Sequence, residues 1–96
     1  MPAAPSLSSI ERALGDVLGP LPGTLDGMAR LQDLPGWDGR RCAAVVKLCE
    51  QRFMIQLNRG QISRMASVGD LLRACRQMRA ARRAAARQGT RRQALG

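Results

Sequence analysis

The run from Asp38 to Leu57 constrains this chain more than any other segment. Ala43, Val46, Cys49 or Glu50, and Phe53 recur at three or four residues, and Val45 and Leu48 widen the apolar stripe. That spacing predicts a single amphipathic helix from about Gly39 to Phe53. Asp38 stands before it as an N-cap, its carboxylate suited to the positive end of a helix. Phe53 and Trp37 are the only aromatic residues, so the core must be aliphatic with Phe53 as an anchor. Met54, Ile55 and Leu57 are expected to carry the chain back across that core, and Asn58-Arg59-Gly60 to make a turn.

Three further helices are expected around this one. Ser8 and Glu11 stand in capping-box spacing, which starts a first helix at Ser8. Ile10, Leu14, Val17 and Leu18 give it one apolar face, and Gly19-Pro20 stops it. The long connection to Asp38 is rich in Pro and Gly. Leu25, Met28 and Leu31 suggest a short helical turn closing over the core there; long ordered loops in small domains often lie near function, although a packed connector is the plainer reading. Ile62 to Met65 reads as a short third helix. Ser67, with Asp70 three residues on, caps a fourth, in which Leu71, Cys75 and Met78 line one side and Arg73, Arg76, Arg83 and Arg87 the other. The apolar stripe fails at Arg82, and Gln88-Gly89-Thr90 is expected to end any helix. No repeat and no strand pattern is present. The expected organisation is therefore a flexible N-terminus (residues 1–7), a helical domain (8–80) and a basic, fraying extension (81–96).

Composition narrows the chemistry. Ninety-six residues suffice for one small domain. The chain has no histidine, which removes the commonest general base and metal ligand. Its three cysteines, Cys42, Cys49 and Cys75, lack metal-site spacing, so packing or surface thiols in a reducing cytoplasm are expected and no metal centre is. Asp33 and Asp38 are the closest carboxylates, and capping or loop contacts account for them. With no Gly-rich phosphate loop either, no enzymatic activity is expected. The N-terminal MPAAPSLSS lacks the pattern of a secretory signal, and no apolar run approaches the roughly 20 residues of a membrane span. Cytoplasmic location is the corresponding expectation.

Charge is unevenly placed. Residues 1–39 carry two basic and five acidic side chains, whereas residues 40–96 carry fourteen basic and two acidic, and none is acidic after Asp70. Arg73, Arg76, Arg79, Arg82, Arg83, Arg87, Arg91 and Arg92 form the basic end. Such asymmetry bears on partners rather than on fold.

Three segments in register resemble the acyl carrier proteins and the related peptidyl carrier domains. Leu31-Gln32-Asp33-Leu34-Pro35-Gly36-Trp37-Asp38 is similar to the approach to that family's Trp-Asp-Ser-Leu motif. Glu50-Gln51-Arg52-Phe53-Met54-Ile55-Gln56-Leu57 is similar to its Glu-x-x-Phe-Gly-Ile-x-Ile, and Ala66-Ser67-Val68-Gly69-Asp70-Leu71 to its Thr-Val-Gly-Asp-Leu. The resemblance covers roughly residues 8 to 80. It implies an all-α, up-and-down four-helix bundle with a long first loop and a short third helix. It also implies a phosphopantetheine arm on a serine at the start of the second helix. Here that position is Gly39, and Arg40 follows where the family has leucine. Attachment needs a hydroxyl oxygen to attack the pyrophosphate of coenzyme A, so no cofactor is expected at this position.

The resemblance further implies that the second helix is a docking face, which in the family is acidic. This chain offers Trp37, Asp38, Arg40, Arg41, Ala44 and Lys47 instead, so a protein partner with an acidic surface is expected. The expected role is that of an accessory to acyl- or peptidyl-transfer enzymes of fatty acid or polyketide biosynthesis, acting as a monomer. One alternative is a working carrier, its serine altered to Gly39 or its arm attached elsewhere, as at Cys42; Ser63 and Ser67 lie in other elements. A second is a protein that touches nucleic acid or anionic lipid through the basic end.

Overall fold

A computed structural model describes residues 4–21 and 26–95, with side chains described as far as Ala86. Its elements are α1 (Leu7–Leu18), a 3-10 turn (Leu31–Asp33), α2 (Gly39–Phe53), α3 (Arg59–Arg64) and α4 (Val68–Leu95). The described residues thus form an all-helical domain of four helices without a strand, and none of these helices is long and apolar enough to cross a membrane.

The start of α1 corrects the sequence expectation. Ser6, not Ser8, is the cap: its Oγ accepts from the Ser9 amide at 3.2 Å, and Ser9 Oγ accepts from the Ser6 amide at 2.8 Å. Leu7 therefore lies inside the helix and packs against the core, and Pro5 is buried, so residues 5–7 belong to the domain. Ile10, Ala13 and Leu14 are fully buried, while Val17 and Leu18 lie at the rim.

Helix α2 has the expected bounds. Val45, Val46, Cys49 and Phe53 form its buried face, but Ala43 is exposed, because it falls nearly opposite Val45 around the helix. The helix ends on Met54 in the left-handed conformation, φ 57°, which lets the Ile55 amide reach back to the Glu50 carbonyl at 3.1 Å. Ile55 and Leu57 then enter the core as expected, whereas Met54 is 48% exposed. Glu50 Oε2 accepts from the Leu57 amide at 2.9 Å and fixes this exit. A methionine in the left-handed region is strained, where glycine would not be. Met54→Gly should raise stability by about 0.5–1 kcal/mol, the relief being partly offset by a looser unfolded chain. A urea titration would read this as a higher midpoint at unchanged slope.

Helix α3 begins earlier than the sequence suggested. Asn58-Arg59-Gly60 is its capped first turn: Asn58 Oδ1 accepts from the Gln61 amide at 2.8 Å, and Gln61 Oε1 accepts from the Asn58 amide at 3.0 Å. Helix α4 starts as read. Ser67 Oγ accepts from the Asp70 amide at 3.1 Å, while Asp70 Oδ2 accepts from the amides of Ala66 and Ser67 at 3.0 and 3.1 Å. Those amides, Ala66 first, hold the Asp70 carboxyl below the usual carboxylate range. At the other end α4 runs to Leu95 without the break expected at Gln88–Thr90. One interior glycine costs only about 1 kcal/mol against alanine, and the alanines, arginines and glutamines around it are strong helix formers.

The long connection is pinned to the α3–α4 junction by main-chain bonds. Leu31 donates to the Ala66 carbonyl at 3.0 Å, Val68 to Ala29 at 2.8 Å and Gly69 to Gly27 at 2.8 Å. The 3-10 turn then lowers Leu31 and Leu34 into the core. Of the residues expected to close that turn, Leu31 does so, Met28 is 88% exposed, and Leu25 lies outside the described residues.

Candidate functional site

The approach to α2 is a tight, cross-braced turn. Trp37 donates its amide to the Leu34 carbonyl at 3.1 Å and lays its ring, half-buried, against the core. Gly36 takes φ 75°, a conformation that favours glycine. Asp38 is extended and caps α2: Oδ1 accepts from the Arg41 amide at 2.8 Å, worth about 1 kcal/mol for such a cap. Its Oδ2 meets Arg41 Nη1 at 3.0 Å, and the same nitrogen donates to the Gly36 carbonyl at 2.9 Å.

Gly39 is the first residue of α2 and is exposed. A Cβ placed on it would meet no heavy atom within 4 Å. The position is therefore open to a side chain. What it lacks is an atom to bond: glycine offers no oxygen, so the residues present do not fit a phosphopantetheine ester at this place. Cys42 is half-buried, and burial pushes its thiol up, which keeps it protonated and a weak nucleophile.

The expected docking residues separate into two groups. Arg40, Ala44 and Lys47 share the exposed face of α2, with Ala43 beside them. Arg41 is also exposed, but its guanidinium is turned back onto Gly36 and Asp38, where it braces the turn. Glu50, the next acidic residue along α2, is engaged by Leu57. The open face is thus cationic through Arg40 and Lys47. Cys49 and Cys75 are buried free thiols that lie beside each other between α2 and α4; the neighbouring Cys49, with burial, pushes the Cys75 thiol up. Among the described residues no group of three or more His, Cys, Asp or Glu side chains could hold a metal ion.

The basic residues expected to form a solvated tail fold back on the protein in several cases. Arg73 approaches Asp70 at 3.9 Å, and Arg76 Nε donates to the Pro5 carbonyl at 3.4 Å. Arg79 Nη1 donates to the Phe53 carbonyl at 3.1 Å, and Arg82 Nη1 donates to the Met54 carbonyl. The last two satisfy carbonyls at the end of α2, where the helix dipole favours cations. Arg83 is exposed, and the side chains of Arg87, Arg91 and Arg92 lie outside the described residues. Sequence reasoning missed this arginine clasp and the exposed Met54 it holds. Its one visible signal was Met54 standing where the resembling family has glycine. Comparisons with protein-family models, with curated proteins and with solved structures find no match for this chain.

Proposed function

We propose that this protein is a carrier-type bundle, similar to the acyl carrier proteins, that works as a docking or accessory module without an arm of its own. It has no catalytic chemistry in this reading. It meets acyl- or peptidyl-transfer enzymes, or another protein with an acidic surface, through Trp37 to Lys47. The observation that carries the reading is Gly39: an exposed first helical residue, capped by Asp38, with open space where a side chain would stand and no nucleophilic atom. The cationic face of Arg40 and Lys47 supports an acidic partner, since like charge would repel a basic one.

Incubation with coenzyme A and a broad-specificity phosphopantetheinyl transferase, followed by intact mass, tests this reading. The chain as it stands should gain no adduct. Gly39→Ser, alone or with Arg40→Leu and Lys47→Glu to remove the repelling charge, should gain one. An adduct on the unaltered chain, at Cys42 or elsewhere, would establish the working-carrier alternative instead. Failure of both serine variants, with their folds intact, would remove the carrier reading itself. The second alternative, contact with nucleic acid or anionic lipid through the basic end, draws on the continuous helix to Leu95 and the absence of acid after Asp70. Such binding would weaken steeply with salt.

A further inference from the structure

We propose that the end of α2 and the projecting half of α4 form a second docking surface, whose occupant is an acidic amphipathic helix of a partner protein. The inference is independent of the carrier reading, because it uses neither Gly39 nor the approach turn. It begins with a mismatch in length. The neighbouring thiols Cys49 and Cys75 and the Phe53–Arg79 hydrogen bond both join α2 to α4 at a separation of 26 residues, so the two helices run in the same direction. Helix α2 stops at Phe53, while α4 continues from Ala80 to Leu95, roughly 24 Å at 1.5 Å per residue, with no length of α2 alongside. The protein is correspondingly elongated, 52 Å against 26 and 20 Å.

Two open grooves lie where α2 gives out, one on each side of Met54. The first, about 630 Å³, is floored by Met54, Ile55, Met78, Ala81 and Ala85. The second, about 530 Å³, runs from Phe53 and Met54 to Ala86, rimmed by Arg52, Arg79, Arg82 and Arg83. Ala81 and Ala85 are one turn apart, so a helix can approach α4 closely there. Methionine adapts its shape to whatever packs on it. This is the form of a helix-in-groove site, which apolar anchors at i, i+3 or i+4, and i+7 would fill.

Charge selects the occupant. At the first groove Glu50 and Arg82 balance one another, and Arg52 is paired with Asp16. The second groove is lined by Arg79, Arg82 and Arg83 with no carboxylate, so its rim is cationic and an acidic helix is its complement. From Arg79 to Ala86 α4 carries no apolar side chain larger than alanine, and the exposed Met54 alone is too little apolar surface to hold the grooves among lipid chains. A phosphate backbone would use the arginines but leave the apolar floor unused, and no aromatic side chain but Phe53, buried in the core, lines either groove for base stacking.

The test uses the full chain and a synthetic helical peptide with leucines at i, i+3, i+4 and i+7 flanked by glutamates. Controls are the same peptide with lysine for glutamate, duplex DNA, and phosphatidylserine vesicles. Fluorescence anisotropy should show saturable binding of the acidic peptide alone at physiological salt, with NMR methyl shifts confined to Met54, Ile55, Met78 and the nearby alanines. Arg83→Glu, at an exposed position, should weaken it about tenfold, and Met54→Gly, which relieves backbone strain, by at least about threefold. Binding only to DNA or vesicles would overturn the proposal, as would shifts centred on Arg40 and Lys47, affinity indifferent to both variants, or no saturable binding of the acidic peptide.

Discussion

Phe53→Ala should remove about 3–5 kcal/mol of stability, a large share of the 5–15 kcal/mol typical of a domain. Phe53 is the largest fully buried side chain, in a core otherwise made of Ile, Leu, Val, Ala and Cys. No second aromatic residue stands beside it to collapse into the space, since Trp37 is only half-buried at the rim. Alanine would keep the helix and the residue 53 carbonyl that Arg79 engages, so the loss would come from the cavity and the apolar surface returned to water. Phe53→Leu should cost less, under about 2 kcal/mol, because most of the volume is retained. Trp37→Ala should fall between these, as its ring is already partly wet. Urea titrations of the three variants, followed by circular dichroism, give the ranking. A Trp37 variant less stable than Phe53→Ala would mean that the core centres on the approach turn rather than on the end of α2.

The parts of this molecule that could be read from sequence are those whose causes are local. Helix α2 needed only the Asp38 cap, the apolar spacing and the Phe53 end, all within one short run. Ser67 and Asp70 likewise announce α4 by spacing alone. Errors arose where two local signals compete and packing decides between them. Ser8 with Glu11 and Ser6 with Ser9 both have capping spacing; the second pair prevails with Pro5 buried and Leu7 packed on the core. Asn58-Arg59-Gly60 has turn composition, but Gln61 closes a capping box that makes it a helical turn. At Gly89 the weak preference of one residue gives way to its neighbours. Contacts between distant segments left no trace in spacing. Nothing in the sequence shows that Arg79 and Arg82 engage the last carbonyls of α2, and so the second docking surface was not visible there. The candidate site at Gly39 was legible because it depends on one missing side chain, and the structure adds that the space around it is open.

The pairing of the long connection with the α3–α4 junction is another such contact, and it makes Gly69→Ala a sharp test. A Cβ at Gly69 would come within 2.7 Å of the Gly27 carbonyl oxygen, the same oxygen that accepts the Gly69 amide at 2.8 Å. The obstacle is main chain on both sides, so no side chain can swing away. Either α4 or the connection must move, and the Gly69–Gly27 bond and the neighbouring Val68–Ala29 bond must lengthen with it. Alanine favours a helix over glycine by about 1 kcal/mol, an effect of opposite sign. The clash and the stretched bonds should outweigh it, leaving a net loss of about 1–3 kcal/mol. Gly27→Ala is the matched control: its Cβ would lie 3.7 Å from Gly69 Cα, an ordinary contact, and its effect should stay within about 0.5 kcal/mol. Local unfolding should change with stability. Hydrogen exchange in Gly69→Ala should accelerate at the amides of Leu31, Val68 and the substituted residue before that of the buried face of α2, because the connection opens without α2 unfolding. A stabilised Gly69→Ala, or equal losses in both variants, would show that the two segments are not in close contact in solution. The connection would then not be what holds Trp37 and Asp38 in place ahead of α2.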